Sequence, residues 1–245
     1  MRGGCFILPA ILCSLCLFSG CNNTGKKTKT ATDIASFWNG KSLLEEEIDI
    51  SEDRFADFAM LITEAPENEA FAAIDTLFDR LKSEDEVAYY IYSGWIDGAF
   101  YNLLSPCRSA KLYSKAVERI VSDGVLNSDE CTPFIKKAEW IKYNLEGTEA
   151  IVPGLSHINA RTLVLVLDLS CPSCRKALES LASDPQWNGV DKMAICMGYG
   201  LKPSVPGWDY LFPENASAVF DIHMTPVYFI VAADGTVERG YTPAL

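Results

Sequence analysis

A Cys-Pro-Ser-Cys tetrapeptide at positions 171–174 lies where an apolar run gives way to a helical pattern. The run before it, residues 163–170, is typical of a buried strand, and residues 175–182 have helical propensity and apolar spacing. Two thiols separated by two residues at a helix start can close a small disulfide. The partial positive charge of the helix N-terminus lowers the pKa of the first sulfur. This junction predicts a strand–helix unit that carries a reactive thiol pair.

A C-x-x-C motif has three common interpretations: a redox dithiol, half of a zinc site, or a haem attachment site. Haem attachment requires histidine directly after the motif, and Arg175 stands there instead. A structural zinc site needs four ligands, but the chain has only His157 and His223 and no second C-x-x-C. We therefore predict no metal and no cofactor, and the redox dithiol is the favoured interpretation.

The N-terminus has the pattern of an export signal. A basic start precedes a mostly apolar segment, residues 6–18, which is too short to span a bilayer as a helix. Small residues just before Cys21 resemble the lipobox of bacterial lipoproteins, in which this cysteine is lipidated, although Phe18 departs from the usual aliphatic residue. The alternative is an ordinary secretory signal or an uncleaved leader. We expect a signal peptide over 1–20, a flexible polar tether over 21–32, and a lipid anchor in a bacterial cell envelope, facing the periplasm.

Composition restricts the partners more than the fold. The chain of 245 residues is 49% hydrophobic and 22% charged, as is ordinary for globular proteins. Its formal net charge of −12 argues against nucleic-acid binding and against a basic membrane-binding face. The predicted contact with a membrane is therefore the lipid anchor alone.

The apolar periodicity changes along the chain and predicts two domains. Residues 33–150 follow helical spacing, with helices predicted to begin after Ser51 and at Pro133, and should form an all-α bundle of unknown function. Residues 151–245 alternate strands with helices and end in a hairpin around Asp234-Gly235. The second domain is predicted to be α/β with a central mixed sheet, three of whose strands begin near Arg161, Lys192 and Val227. A helix is also predicted over 215–221.

A second motif supports the redox interpretation. Thr225-Pro226 precedes an apolar strand and the Asp-Gly turn, about fifty residues after the cysteines. Together the two motifs resemble the thioredoxin-like superfamily, in particular its membrane-anchored extracytoplasmic (TlpA/ResA-like) thiol–disulfide oxidoreductases. The resemblance covers residues 155–245 and implies a cis peptide bond before Pro226. The departures are Ser170, where tryptophan is common, a weak first hairpin and an apparently missing terminal helix.

The resemblance also implies a role for each site residue. Cys171 would be the nucleophile that forms a mixed disulfide, and Cys174 would resolve it. Pro172 and Ser173 would tune the reduction potential. Thr225 and Pro226 would bind an extended substrate strand beside the thiols.

Other polar and sulfur-bearing residues leave alternatives open. Asp168 interrupts the apolar strand, and it either assists proton transfer to Cys174 or simply faces solvent at the strand end. A disulfide between Cys107 and Cys131 would close a loop of roughly 25 residues, worth about 3 kcal/mol, but two separate buried thiols are equally compatible with the sequence. Cys196 is predicted to be a core thiol.

These features predict an extracytoplasmic thiol–disulfide oxidoreductase. Resemblance to the anchored members favours a reductase of protein disulfides, including those of cytochrome c apoproteins, served by an upstream redox donor. An oxidase is the nearest competitor. The alternative class is a lipid-anchored binding lipoprotein whose thioredoxin-like half is a degenerate scaffold.

Overall fold

The computed structural model describes residues 34–244, and the first half of this range is helical. The helix Glu86–Ile96 continues directly into a π-helical turn, Asp97–Tyr101. The helices are α1 (Ile48–Thr63), α2 (Glu67–Glu84), α3 (Glu86–Ile96), α4 (Ala110–Asp123) and α5 (Ser128–Trp140). No helix in this range is long and apolar enough to cross a membrane.

Local capping explains where three of these helices begin. The carboxylate of Asp85 accepts from the amides of Val87 and Ala88 at the start of α3. The hydroxyl of Ser109 accepts from the amide of Leu112 at the start of α4. Asn127 and Glu130 form a reciprocal capping box at the start of α5. Each cap satisfies amides that have no partner within the helix.

Two predicted helix starts were wrong. α1 begins at Ile48, so Ser51 lies inside it, fully buried, where its hydroxyl accepts from the amide of Glu45. α5 begins at Ser128, and Pro133 lies within the helix instead of starting it. The capping box of Asn127 determines this boundary, since it satisfies the N-terminal amides of Asp129 and Glu130, both ahead of the proline.

The second half is a mixed sheet, as the sequence predicted, and it has five strands. The strands are β1 (Thr162–Asp168), β2 (Asp191–Met197), β3 (Asp209–Leu211), β4 (Val227–Val231) and β5 (Val237–Pro243), in the order β3-β2-β1-β4-β5. β2 is parallel to β1 and β3, whereas β4 is antiparallel to β1 and β5. The C-x-x-C helix, α6 (Pro172–Ser183), follows the central strand directly.

The side chains of β1 alternate between two apolar layers. Leu163 and Leu165 pack on one face with Leu178 of α6, and Val164 and Val166 pack on the other. That other face is covered partly by Phe220 and by Val152, which follows the helical half. β1 is thus buried on both faces, which explains its continuous apolar run.

Between β2 and β4 the structure differs from the sequence prediction. The helix predicted over 215–221 is instead two short 3₁₀ turns, Ala216–Ala218 and Ile222–Met224. β3, which was not predicted, pairs with β2 over only three residues. Such a short edge strand has too few residues for an alternating pattern to be recognised.

Candidate functional site

Cys171 occupies the N-cap of α6, with extended backbone angles, and Pro172 takes the first helical position. Proline is suited to that position because its missing N–H would have no partner there. The Cys171 side chain is partly exposed, whereas Cys174, one turn later, is buried at 1% exposure. The helix therefore presents one sulfur to solvent and keeps the other inside.

The two thiols have different pKa values because their surroundings differ. Burial raises the pKa of Cys174 to about 11, although the Asp168 amide and the Thr225 side chain act in the opposite direction. The Asp168 N–H donates to the Cys174 sulfur at 3.3 Å.

For Cys171, burial also acts to raise the pKa, but hydrogen bonds outweigh it. They come from the backbone and thiol of Cys174 and from the backbone of Ser173, so the pKa of Cys171 is lowered. The charge of Asp168 opposes this change. The more acidic thiol is the more exposed one, as a nucleophile in disulfide exchange requires.

The Thr225–Pro226 loop lies against the thiol pair. Its peptide bond is cis, as the resemblance to the thioredoxin-like superfamily implied. The Thr225 hydroxyl donates to the Ile222 carbonyl at 2.7 Å, and the Thr225 side chain contacts the Cys174 sulfur. Pairing of Val166 with Val227 brings the loop to the end of β1 where the cysteines begin.

Asp168 contacts Cys174 through its backbone amide, as described above, while its carboxylate points elsewhere. The carboxylate accepts from the Ser170 amide and hydroxyl, each at 2.9 Å. It also lies against Gly198, where an added Cβ would come within 2.6 Å of Oδ1. The side chain is half-buried and hydrogen-bonded to Ser170. Its negative charge acts to raise the pKa of Cys171.

The loop after β2, residues 198–201, also belongs to the site, and sequence reasoning missed it. Gly198 has a φ of +70°, and a Cβ on Gly200 would lie 2.4 Å from the Leu169 carbonyl oxygen. The loop therefore packs tightly against the segment that leads into the cysteines. Two glycines flanking Tyr199, directly after a buried strand, were the sequence signal that was available.

Cys107 and Cys131 are not bonded to each other. The Cys131 thiol donates to the carbonyls of Ile120 and Leu126, whereas Cys107 contacts Thr63 at the end of α1. The structure thus has two separate buried thiols, because Cys131 lies within α5 rather than in a loop that faces Cys107. Cys196 is a core thiol, and burial raises its pKa to about 12.

Two further predictions concern lipid and metal. Cys21 lies outside the described residues. Within residues 34–244, no three His, Cys, Asp or Glu side chains are grouped to hold a metal ion.

Comparison with known proteins supports the fold. No protein-family model and no curated protein matches the chain. Among solved structures, the crystal structure of a thioredoxin-like protein from Bacteroides caccae is similar, with a TM-score of 0.65 and 17% identity. The match covers 99% of this chain and 96% of that protein. At this identity the likeness concerns the fold, and it extends over the helical half as well as the sheet.

Proposed function

We propose that this chain, whose fold is thioredoxin-like, is a thiol–disulfide oxidoreductase that uses Cys171 and Cys174 to exchange disulfides with protein substrates. One observation carries the proposal: the fold gathers a partly exposed thiol of lowered pKa, a buried thiol of raised pKa and the Thr225–Pro226 loop into one contact group. Neither motif alone requires the other, and they are about fifty residues apart in sequence.

The chemistry follows from the two acidities. The Cys171 thiolate attacks one sulfur of a substrate disulfide, the S–S bond breaks, and the departing substrate sulfur takes up a proton. Cys174 then loses its proton and attacks the Cys171 sulfur, which releases the second substrate thiol and leaves a Cys171–Cys174 disulfide. Two electrons have passed to the substrate, so an upstream protein dithiol must return the pair to its reduced form.

The buried Cys174 has a specific advantage in this sequence of steps. Because its pKa is raised to about 11, it is protonated and unreactive while Cys171 makes the first attack. Formation of the mixed disulfide removes the neighbouring thiolate, and Cys174 then has an electrophilic sulfur beside it.

Activity is tested by reduction of insulin disulfides driven by a small dithiol. We expect catalysis by the wild type, background rates for Cys171→Ser, and an accumulated mixed disulfide for Cys174→Ser. Cys131→Ala, which removes a thiol from the helical half, is the matched control and should retain activity. Equal rates for the wild type and Cys171→Ser would overturn the proposal in favour of a binding protein with a degenerate scaffold.

We further propose that the protein acts as a reductase, anchored by lipid at Cys21 on the extracytoplasmic side of a bacterial membrane. The direction is supported by the resemblance to anchored reductases, and the anchor by the residues before Cys21. A reductase should have a potential near the thioredoxin value of about −270 mV, whereas an oxidase would lie near about −120 mV. Labelled fatty acid should be incorporated into the wild type and not into Cys21→Ser, and equal labelling would rule out the anchor.

A further inference from the structure

A cleft of about 400 Å³ lies between the helical half and the Thr225–Pro226 loop. We call it the interdomain cleft. One wall comes from the helical half and includes Leu103, Leu104 and Lys137, and the other includes Met224, Thr225 and Pro226. Because Thr225 contacts the Cys174 sulfur, this wall is continuous with the thiol site.

Buried polar contacts hold the two walls of the cleft together. The Tyr101 hydroxyl donates to the Asp221 carboxylate at 2.9 Å, and both side chains are buried. Asp221 also accepts from the His223 amide at 2.9 Å, which caps the 3₁₀ turn that leads into Thr225. A contact chain thus runs from the helical half into the loop beside the thiols.

A second set of contacts supports the helical wall. The Lys137 ammonium pairs with Asp97 at 2.7 Å, and the Tyr113 hydroxyl donates to the same carboxylate at 2.7 Å. The Trp140 indole donates to the Ser217 carbonyl at 2.9 Å, across the two halves. The cleft is therefore a formed feature of the folded chain, with its charged groups already paired.

Backbone groups in the loop wall indicate what the cleft can hold. The Thr225 amide donates to the Ile222 carbonyl, and Pro226 has no N–H. The Thr225 carbonyl accepts no hydrogen bond from any residue of the range 34–244. An extended polypeptide can supply the missing donor by pairing with this edge, as in strand addition.

The opposite wall indicates the side chain that such a polypeptide would place there. Leu104 is 70% exposed, although it borders a cleft that also contains Leu103, Met224 and Pro243. An aliphatic or aromatic side chain that covered Leu104 would remove apolar surface from water on both partners. Asp97 and Lys137 neutralise each other in the helical wall, and the Asp221 carboxylate of the other wall is buried and hydrogen-bonded to Tyr101.

We propose that the interdomain cleft binds the extended segment of a protein substrate that flanks its reacting cysteine, with an apolar substrate side chain resting on Leu104. This inference rests on the proposed function and assigns the helical half a role in substrate selection. Small disulfides react at Cys171 without reaching the cleft, whereas polypeptide substrates use both.

The test compares protein and small-molecule disulfides as substrates of two matched variants. Leu104→Glu places a charge in the cleft, and Val87→Glu places one at an equally exposed aliphatic position, 63% exposed, that does not border the cleft. We expect the ratio of kcat/KM for insulin to kcat/KM for an aromatic small-molecule disulfide to fall about tenfold in Leu104→Glu. The ratio should stay at the wild-type value in Val87→Glu.

A ratio in Leu104→Glu within about twofold of that in Val87→Glu, with an active wild type, would overturn the inference and leave the proposed function intact. Failure of the proposed function looks different: Cys171→Ser would then match the wild type on both substrates. A second measurement locates the peptide directly. A photo-crosslinker at position 104 in the Cys174→Ser mixed disulfide should label the trapped substrate, and the same crosslinker at position 87 should not.

Discussion

At the scale of single residues, position along one helical turn assigns different chemistry to identical side chains. Cys171 occupies the N-cap position of α6, where backbone groups of the first turn act to lower its pKa, while Cys174 lies beneath it among apolar side chains. Burial costs a thiolate its solvation, and hydrogen bonds at the helix start compensate only the outer sulfur. Environment alone thus distinguishes the partly exposed, more acidic thiol from the buried, less acidic one.

The reduced protein should therefore be alkylated at Cys171 first. A lower pKa gives a larger thiolate fraction at a given pH. The rate of alkylation of Cys171 should therefore rise with pH through a midpoint below the ordinary thiol pKa of 9.0. The Cys174 rate should stay low until the pH approaches about 11. Iodoacetamide labelling read by peptide mass at each pH measures both sites. Comparable labelling of the two cysteines at pH 7 would contradict the assignment, and Cys174→Ser gives the Cys171 profile without its partner.

At the scale of elements, the site is assembled where three segments approach at the same end of the sheet. β1 leads into the cysteines, β4 begins just after Pro226, and the loop after β2 packs on Leu169. Pairing of Val166 with Val227 aligns β1 with β4. The loop after β2 can pack closely against Leu169 because Gly200 has no side chain. Glycine is required there because a Cβ would meet backbone atoms that cannot rotate away.

Gly200→Ala should destabilise the protein by about 1–3 kcal/mol, since the added methyl group overpacks the loop against the Leu169 backbone. Gly94→Ala is the matched control, because that glycine is exposed in α3 with no atom near the added Cβ. Alanine in a helix interior should stabilise by about 0.5–1 kcal/mol, so the same substitution has opposite signs at the two sites. Urea unfolding measures both, and a neutral Gly200→Ala would show that the loop relaxes freely.

At the scale of the whole molecule, the helical half and the sheet half share buried polar contacts. The Tyr101–Asp221 bond joins residues 120 positions apart, and burial, with the adjacent charge of Asp221, raises the pKa of the Tyr101 hydroxyl. Met224, next to the site loop, packs against the core of the helical half. The two halves should consequently unfold together.

Tyr101→Phe should lower the free energy of unfolding by about 1–3 kcal/mol, because the buried Asp221 carboxylate loses its hydroxyl partner. Tyr90→Phe removes a hydroxyl whose contact with Glu130 lies at the surface, and it should cost at most about 0.5 kcal/mol. Chemical denaturation followed separately by tryptophan fluorescence and by Cys174 accessibility reports on both halves. Equal losses in the two variants would contradict a stabilising role for the interdomain bond.

The helical half shows the limit of local patterns. Apolar spacing predicted the presence of its helices, but Ser51 and Pro133 misplaced two boundaries: α1 begins three residues before Ser51 without a side-chain cap, and the capping box of Asn127 starts α5. The sequence left the Cys107–Cys131 disulfide and two separate thiols both open for a related reason: spacing along the chain does not tell which way a helical cysteine faces. The 3₁₀ turn Ile222–Met224 likewise depends on its cap Asp221, whose carboxylate accepts a hydrogen bond from the distant Tyr101.

The sequence by itself determined the strand–cysteine–helix unit and the mixed sheet, because these follow from local propensity and apolar periodicity, whereas the cis bond before Pro226 was implied by the resemblance to thioredoxin-like proteins. Only the tertiary structure decided how far the thiol acidities differ, where the Asp168 carboxylate points and that the helical half borders the site loop. The contact between the two halves joins residues 120 positions apart, and the buried site of Cys174 is completed by Thr225, about fifty positions away. No local pattern encodes such distances, so the environment of the two sulfurs exists only once the chain has folded.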